Sequence, residues 1–196
     1  MIIISYYTPG DYEKVMNTHL KPSLQKLGLK HYIEKIDNKG NWYQNTSYKA
    51  QFVYNCLHLF KEDVCFLDSD AIIDSYPTLL YKIPDGFACA CHLLDWYLFW
   101  RKQTGNPKRE LLSGTMVFKY NSEGLKLAKK YVEETKKNPK IWEQKTLQNI
   151  VETDGYKVYV LPPEYCAIKK PNGTIPDYIK TPIITHYQAS RKFRAN

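Results

Sequence analysis

The stretch Val64-Cys65-Phe66-Leu67-Asp68-Ser69-Asp70 sets the expected fold, because an apolar run leads directly into two carboxylates. A short run that is apolar throughout is typical of a strand in a sheet covered on both faces. Burial does not require the aspartates that follow. Asp68 and Asp70 therefore mark a candidate site at the end of this strand, since two neighbouring carboxylates can hold a divalent cation such as Mg²⁺.

The regions before this stretch alternate between strands and helices. We predict strands at residues 2–6, 31–36 and 64–67, one helix between Asp11 and Gly28, and another at residues 46–61. This order predicts an α/β fold with a mostly parallel sheet and helices on both faces. Ligands of such sheets bind beyond the carboxyl ends of the strands, which is where the two aspartates are expected.

The second half of the chain continues the same alternation. The predicted strands lie at residues 87–91, 115–119, 157–161 and 183–184, and the predicted helices at about 125–137 and 142–153. We find no internal repeat, low-complexity segment or long flexible linker. We therefore expect a single domain over residues 1–196.

Composition excludes a disordered chain but leaves several kinds of partner open. Of 196 residues, 43% are hydrophobic, and 28 basic against 20 acidic residues give a net charge of +8. Such a charge is compatible with nucleic acid, an anionic membrane surface or a phosphate-bearing substrate. The five cysteines lack Cys-x-x-Cys spacing, which disfavours a zinc site and indicates a reducing compartment. Since no signal peptide or membrane span is recognisable, we expect a cytoplasmic location.

His186 is the third candidate metal ligand, because it follows a short apolar strand near the end of the chain. An imidazole beside two carboxylates favours Mn²⁺ over Mg²⁺. Ser190, Arg191, Lys192 and Arg194 follow it, and a hydroxyl with cations is suited to a diphosphate. Alternatives stay open at this point: a capping role for Asp70, a core role for the histidine and a frayed basic tail.

Three further segments carry candidate side chains. In Leu112-Ser113-Gly114-Thr115 a glycine enters a strand, which indicates close approach of another group or a tight turn. Glu143, at a helix start, is either a base or acceptor ligand, or an acidic residue favoured by the helix dipole. The aromatic segment from Trp96 to Trp100 is suited to stacking on a sugar or lipid acceptor, or to forming a buried lid.

Taken in chain order, these residues resemble the small nucleotide-diphospho-sugar transferases of the GT-A glycosyltransferase fold. The resemblance covers nearly the whole chain. Its matching pieces are Ser5-Tyr6-Tyr7-Thr8, Trp42 to Lys49, the DxD signature in Phe66-Leu67-Asp68-Ser69-Asp70-Ala71, Leu112 to Phe118, Trp142-Glu143-Gln144, and His186 to Arg191.

The resemblance implies a metal-dependent transfer of a sugar from a nucleoside-diphosphate sugar to a hydroxyl acceptor, and a role for each matching position. On the donor side, Tyr7 and Thr8 would contact the nucleoside, Lys49 would hold the nucleotide, and Ser190 and Arg191 would meet the diphosphate. Asp68 would reach both the ribose and a Mn²⁺ or Mg²⁺ ion. Asp70 and His186 would bind the same ion.

On the acceptor side, the resemblance implies contacts from Ser113, Gly114, Thr115 and Gln144, to which we add Trp96 and Trp100. Glu143 would be the catalytic base if the reaction inverts the anomeric configuration, and a retaining reaction needs no such base. The family often has Asp-Gln where this chain has Glu143-Gln144, so the carboxylate here reaches further.

Other functions remain as alternatives. A sugar nucleotidyltransferase is disfavoured, because no glycine-rich phosphate loop follows the first strand. A basic nucleic-acid-binding protein or a metal-dependent nuclease built on the two aspartates would bind nucleic acid with a steep dependence on salt. We expect no nucleic acid partner, whereas contact with a membrane surface and the oligomeric state stay open.

Overall fold

A computed structural model describes residues 1–100 and 109–193 of the chain. Arg194, one of the cations named above, lies outside these ranges. The strands are β1 (Ile2–Tyr7), β2 (His31–Lys35), β3 (Val64–Leu67), β4 (Ala71–Ile73), β5 (Cys89–Asp95), β6 (Arg109–Phe118), β7 (Val158–Val160), β8 (Ala167–Ile168) and β9 (Ile184–His186). The helices are α1 (Asp11–Thr18), α2 (Leu20–Lys26), α3 (Trp42–Phe60), α4 (Trp96–Phe99), α5 (Ser122–Lys137), α6 (Glu143–Asp154) and α7 (Ala189–Phe193).

The central sheet has six strands in the order β2-β1-β3-β6-β5-β7. Parallel pairing joins β1 to both β2 and β3, and joins β5 to β7. Only β6 runs against its two neighbours, β3 and β5. The prediction of a mostly parallel α/β sheet is therefore confirmed, and the antiparallel strand is a feature that it did not include.

Helices cover both faces of this sheet, as predicted. Because successive side chains of a strand point to opposite faces, Val64 and Phe66 pack with α3, α5 and α6, while Cys65 and Leu67 pack with α1 and α2. All five cysteines are buried and free. In the described part of the chain, no helix combines the length and the apolar character that crossing a membrane requires.

The prediction of one continuous helix between Asp11 and Gly28 was wrong, because the structure has two helices there, α1 and α2. The chain bends at His19, whose backbone has non-helical angles. Pro22 supplies the reason, because a proline inside a helix lacks the N–H group and its ring clashes with the carbonyl four residues earlier, here that of Thr18. A new helix that starts at Leu20 puts the proline in its first turn, where it is tolerated.

Three other elements begin earlier or end later than predicted. α3 starts at Trp42 because Asn41 and Gln44 form a reciprocal capping box ahead of it. β5 runs to Asp95 with an irregular register between Cys91 and His92, and β6 starts at Arg109. The extensions of β5 and β6 pair with each other, so a contact between distant segments stabilises strands that their own sequences do not indicate.

A small second sheet, in the order β4-β9-β8, connects the DxD segment to the end of the chain. Ala71 of β4 lies opposite His186 of β9, and Ile168 of β8 pairs with the same histidine. This register sets His186 beside the residues that follow β3. The short strands thus join two parts of the candidate site that are far apart in sequence.

Candidate active site

A cavity of about 450 Å³ opens where β1 and β3 end, at the carboxyl edge of the central sheet. Residues from both ends of the chain line it. Of the predicted site residues, those that line it are Tyr7, Thr8, Lys49, Asp68, Asp70, Trp96, Ser113, Gly114, Glu143, Gln144, His186, Ser190 and Arg191. The remaining two, Thr115 and Trp100, are described below.

Asp68, Asp70 and His186 converge in this cavity. One ligand atom from each lies within 4.8 Å of the others, and His186 Nδ1 is 3.6 Å from Asp70 Oδ1. Two carboxylates and an imidazole on one side of a cavity are a donor set that suits Mn²⁺ or Mg²⁺, with further ligands left to substrate and water. The structure thus brings the imidazole together with the two aspartates, and their binding of a metal stays a prediction.

Asp70 also anchors the C-terminal segment. Its Oδ2 accepts a hydrogen bond of 2.7 Å from the backbone N–H of Ala189, at the start of α7. The alternative of a capping role for Asp70 is therefore partly correct, although the helix that it contacts is distant in sequence. Burial would raise the pKa of Asp70, but hydrogen bonding and charge from His186, together with the Ala189 amide, hold it below its ordinary value.

The orientation of His186 is determined by Thr115. Thr115 is fully buried, and its Oγ1 lies 2.8 Å from His186 Nε2. If Nδ1 binds a metal together with the aspartates, Nε2 carries the hydrogen and donates it to Thr115, which is the usual outer-shell arrangement for a metal-binding histidine. Thr115, expected on the acceptor side, thus lies behind the imidazole and outside the cavity lining.

Gly114 allows the two halves of the site to meet. A Cβ atom at this position would lie 2.9 Å from His186 Cε1 and 3.2 Å from Asp68 Oδ2. The first distance is shorter than real Cβ contacts, so either the ring or the strand would have to move. The close approach that a glycine entering this strand indicates is therefore present, and the neighbour is the imidazole.

Changing Gly114 to alanine should weaken Mn²⁺ binding by about tenfold or more, because the added methyl group displaces the His186 ring. The electron paramagnetic resonance signal of free Mn²⁺ measures this directly. Gly86→Ala is the matched control, since nothing lies within 4 Å of its added Cβ. Equal Mn²⁺ affinity in both variants would contradict the proposed steric role of Gly114.

Lys49 lies buried between the DxD segment and α6. Its Nζ is 3.0 Å from Asp68 Oδ1 and 3.1 Å from Glu143 Oε1, and it donates to the backbone carbonyl and Oγ of Ser113. Burial would lower the pKa of Lys49, but the charges of Asp68 and Glu143 raise it to about 12. The ammonium therefore stays charged and holds Asp68 from the side.

Glu143 is almost completely buried, with 1% of its surface exposed. Its Oε1 accepts a hydrogen bond of 2.9 Å from Ser113 Oγ, and its Oε2 accepts one from the Tyr131 hydroxyl. Burial, and then the Glu143 charge, raise the pKa of Tyr131 well above its ordinary value. Glu143 thus belongs to a buried network that includes Lys49.

A second hydrogen-bonded chain orients the neighbouring residue, Gln144. Its Oε1 accepts from the Ser113 backbone N–H at 3.0 Å, while its Nε2 donates to Glu110 Oε1 at 2.6 Å. The other Glu110 oxygen accepts from the indole N–H of Trp96. Trp96 lines the cavity as expected, and Glu110 connects it to Gln144.

Several residues that line this cavity were not predicted as site residues from the sequence. Glu110 could not be predicted from the sequence, because it precedes the apolar part of β6 and its hydrogen-bond partners, Trp96 and Gln144, are distant in sequence. Trp42 and Trp142 were recognised as parts of motifs but not as cavity residues, and their rings lie 5.8 Å apart. Trp100, expected to contact the acceptor, lies outside the lining; it packs edge-on against Phe99. Its acceptor role stays a prediction.

Comparison with solved structures finds the same architecture in glycosyltransferases. The chain matches the crystal structure of a glycosyltransferase involved in the glycosylation of the major capsid of PBCV-1, with a TM-score of 0.69 and 15% identity over 98% of this chain and 95% of the other. It also matches galactosyltransferase LgtC in complex with donor and acceptor sugar analogs, with a TM-score of 0.57 and 10% identity over 96% of this chain and 87% of the other.

A third match is the bifunctional glycosyltransferase WbbM in its apo form, with a TM-score of 0.59 and 15% identity over 96% of this chain and 46% of the other. No protein-family model matches the sequence, and neither does any curated protein. At these identities a structural match shows the fold. The predicted GT-A type of α/β fold is thus confirmed.

Proposed function

We propose that this chain is a metal-dependent glycosyltransferase that moves a sugar from a nucleoside-diphosphate sugar to a hydroxyl acceptor. The observation that carries the proposal is the convergence of Asp68, Asp70 and His186 within 4.8 Å, in a cavity that Ser190 and Arg191 also line. The glycosyltransferase matches support the same conclusion at the level of fold.

The metal site fits a divalent ion by the chemistry of its donors, and Asp68, Asp70 and His186 would hold it. A bound Mn²⁺ or Mg²⁺ supplies a Lewis acid for the negative charge that develops on the diphosphate as the glycosidic bond breaks. The hydrogen bond from the Ala189 amide holds one Asp70 oxygen in place, which leaves the other directed at His186. The Lys49 ammonium restrains Asp68 in the same way.

The donor would lie across the ends of β1 and β3. Tyr7 and Thr8 line the part of the cavity next to β1, which suits contact with a nucleoside. Arg191, on α7, offers a guanidinium group to the diphosphate, and Ser190 offers a hydroxyl. Because α7 is tied to Asp70, diphosphate binding and metal binding are expected to support each other.

The acceptor would approach from the side of β6 and α6. Ser113, Gly114 and Gln144 line this side of the cavity, and Trp96 adds an aromatic surface. Thr115 contacts the imidazole, so we assign it to orienting His186. The sugar that is transferred would lie between the donor diphosphate and Gln144, whose amide is oriented by its hydrogen bonds with the Ser113 backbone N–H and with Glu110.

Glu143 is better suited to positioning than to proton transfer. Both of its oxygens accept hydrogen bonds, and Lys49 pairs with its charge. A base must come within hydrogen-bond reach of the acceptor hydroxyl. We therefore assign Glu143 to holding Lys49 and Ser113, and its role as the base of an inverting reaction stays a prediction.

Calorimetric titration with UDP and GDP tests the proposed function. We expect one of the two to bind in the presence of Mn²⁺ or Mg²⁺ and to lose its affinity when a chelator removes the ion. Hydrolysis of a panel of nucleotide sugars, followed by release of the nucleoside diphosphate, then identifies the donor.

Nucleic-acid binding is the alternative function that this test must distinguish from sugar transfer. If the net charge of +8 served nucleic acid, generic DNA or RNA would bind with a steep salt dependence, and UDP affinity would not depend on metal. Nucleotide affinity that is unchanged by the chelator would contradict the proposal.

A further inference from the structure

A second cavity, of about 370 Å³, adjoins the first on the acceptor side. Both cavities are lined by Trp96, Glu110, Trp142 and Gln144. These four residues form a common wall, so the two cavities lie side by side at Gln144. Both volumes fall within the range of small-molecule sites.

The lining of the second cavity suits a sugar ring. Trp96 and Trp142 are partly exposed indoles, and an indole offers a flat apolar face to the C–H groups of a pyranose. The carboxylate of Glu110 and the amide of Gln144 also line this cavity and add polar groups to it. An apolar wall with a few polar groups is the usual composition of a specific ligand site.

Two cations complete this cavity beyond the common wall. Arg109 is the first residue of β6, and Lys145 follows Gln144 on α6. Among residues 1–100 and 109–193, neither side chain makes a hydrogen bond or an ion pair. Elsewhere in those ranges many lysines are paired, for example Lys130 with Asp154.

Glu110 lines the same cavity, and its carboxylate offsets one of these two positive charges. Its oxygens accept hydrogen bonds from the Trp96 indole and the Gln144 amide. With two cations against one carboxylate, the lining keeps a net positive charge, and Arg109 and Lys145 offer their donors to whatever enters the second cavity. A guanidinium and an ammonium group bind a carboxylate or a phosphate through charge-assisted hydrogen bonds.

We propose that the second cavity binds a sugar unit of the acceptor that bears an anionic group, with Arg109 and Lys145 on the anion and Trp96 and Trp142 against the ring. The inference rests on the proposed function, because it extends the acceptor side of that site. It makes the acceptor an acidic saccharide of at least two units. The anion is a carboxylate, as in a uronic acid, or a phosphate ester.

Matched disaccharides test this assignment without knowledge of the donor. Each set contains a neutral disaccharide and two acidic forms of it. In one form a primary alcohol is oxidised to a carboxylate, and in the other the same alcohol carries a phosphate ester. The sets cover the gluco, galacto and manno series. Quenching of tryptophan fluorescence reports binding to the full chain. We expect one acidic member to bind at least about tenfold more tightly than its neutral counterpart.

The double variant Arg109→Gln/Lys145→Gln should remove this preference. The control is Lys129→Gln/Lys136→Gln, which takes the same charge from exposed positions of α5 and should keep it. Whichever of the carboxylate and the phosphate ester binds more tightly identifies the anion. If no acidic member binds better than its neutral counterpart, or if the control loses the preference equally, the assignment is wrong.

The outcome is separable from that of the proposed function. Metal-dependent UDP or GDP binding is measured on the wild-type chain in a different titration, in which no saccharide is present. A chain that binds the nucleotide but shows no preference for acidic disaccharides keeps the proposed function and loses the acidic acceptor.

Discussion

Changing Asp70 to asparagine should abolish metal-dependent binding of a nucleoside diphosphate while leaving the fold intact. Loss of an outer-shell partner typically costs roughly 10–100-fold in metal affinity, and loss of a direct ligand should cost more. The asparagine oxygen can still accept the hydrogen bond from the Ala189 amide, so α7 should remain in place. Calorimetry with Mn²⁺ and UDP or GDP measures the affinity, and circular dichroism checks the fold.

Asp74→Asn is the control for Asp70→Asn. Asp70 precedes the short strand β4, and Asp74 follows it. Asp74 accepts a hydrogen bond from Thr185 at 2.7 Å and does not line the cavity. Its change removes the same charge from the same region and should leave metal binding unaltered. Equal binding by the two variants would show that Asp70 acts only as an anchor for α7, and the metal assignment would then fail.

Asp70→Ala separates the two roles of the side chain further. Alanine removes both the metal ligand and the acceptor of the Ala189 hydrogen bond, so the C-terminal segment should loosen as well. We expect faster amide hydrogen exchange in α7 for the alanine variant than for the asparagine variant. Similar exchange in both would contradict the anchoring role.

Local sequence patterns were sufficient to predict the central elements of the fold. β3 is apolar throughout because both of its faces are covered, and that pattern is present within four residues, Val64 to Leu67. The helical stripes of α3, α5 and α6 similarly follow from the need to bury one side of each helix. These features could be predicted because their cause lies within the segment itself.

The small second sheet could not be predicted in the same way. β8 has two residues, which is too short for a recognisable alternation, whereas β9 lies close to the strand predicted at residues 183–184 but ends two residues later. They form because β9 pairs with β4, across a large separation along the chain. The convergence of His186 with the aspartates was inferred from a family resemblance, whereas its physical cause, the register of Ala71 with His186, is visible only in three dimensions.

The hydrogen bonds of the polar network beneath the cavity could not be predicted from local sequence either. Glu143 and Ser113 were each singled out for their place in a motif, but their hydrogen bond joins a helix to a strand. Tyr131 lies on the buried face of α5, and its hydroxyl donates to Glu143. An aromatic stripe indicates burial and does not indicate where the hydroxyl group will find its acceptor.

Changing Lys49 to methionine should destabilise the protein by about 3–5 kcal/mol, which is the usual cost of removing one partner from a buried ion pair. The change leaves Glu143, which is 1% exposed, without a compensating charge. Asp68 suffers less, because 42% of its side chain reaches solvent. Urea unfolding, followed by circular dichroism, measures the loss in the free energy of unfolding.

Lys119→Met is the matched control. Lys119 also pairs with two carboxylates, Asp63 and Asp85, but 27% and 95% of their side chains are exposed. Both acids can be hydrated when the lysine is removed, so the loss should be clearly smaller than for Lys49→Met. If the two variants lost the same stability, the burial of Glu143 would not be the cause of the effect.

The double variant Lys49→Met/Glu143→Gln identifies that cause directly. A neutral glutamine can accept the Tyr131 hydrogen bond through its Oε1 and donate from its Nε2 to Ser113 Oγ, which no longer accepts from Lys49, and it does not need the ammonium. The two changes should therefore cost less together than the sum of their separate effects, since each removes the charge that the other leaves unpaired. Additive losses would mean that Lys49 stabilises the fold through Asp68 and Ser113, and that Glu143 owes its burial to packing alone.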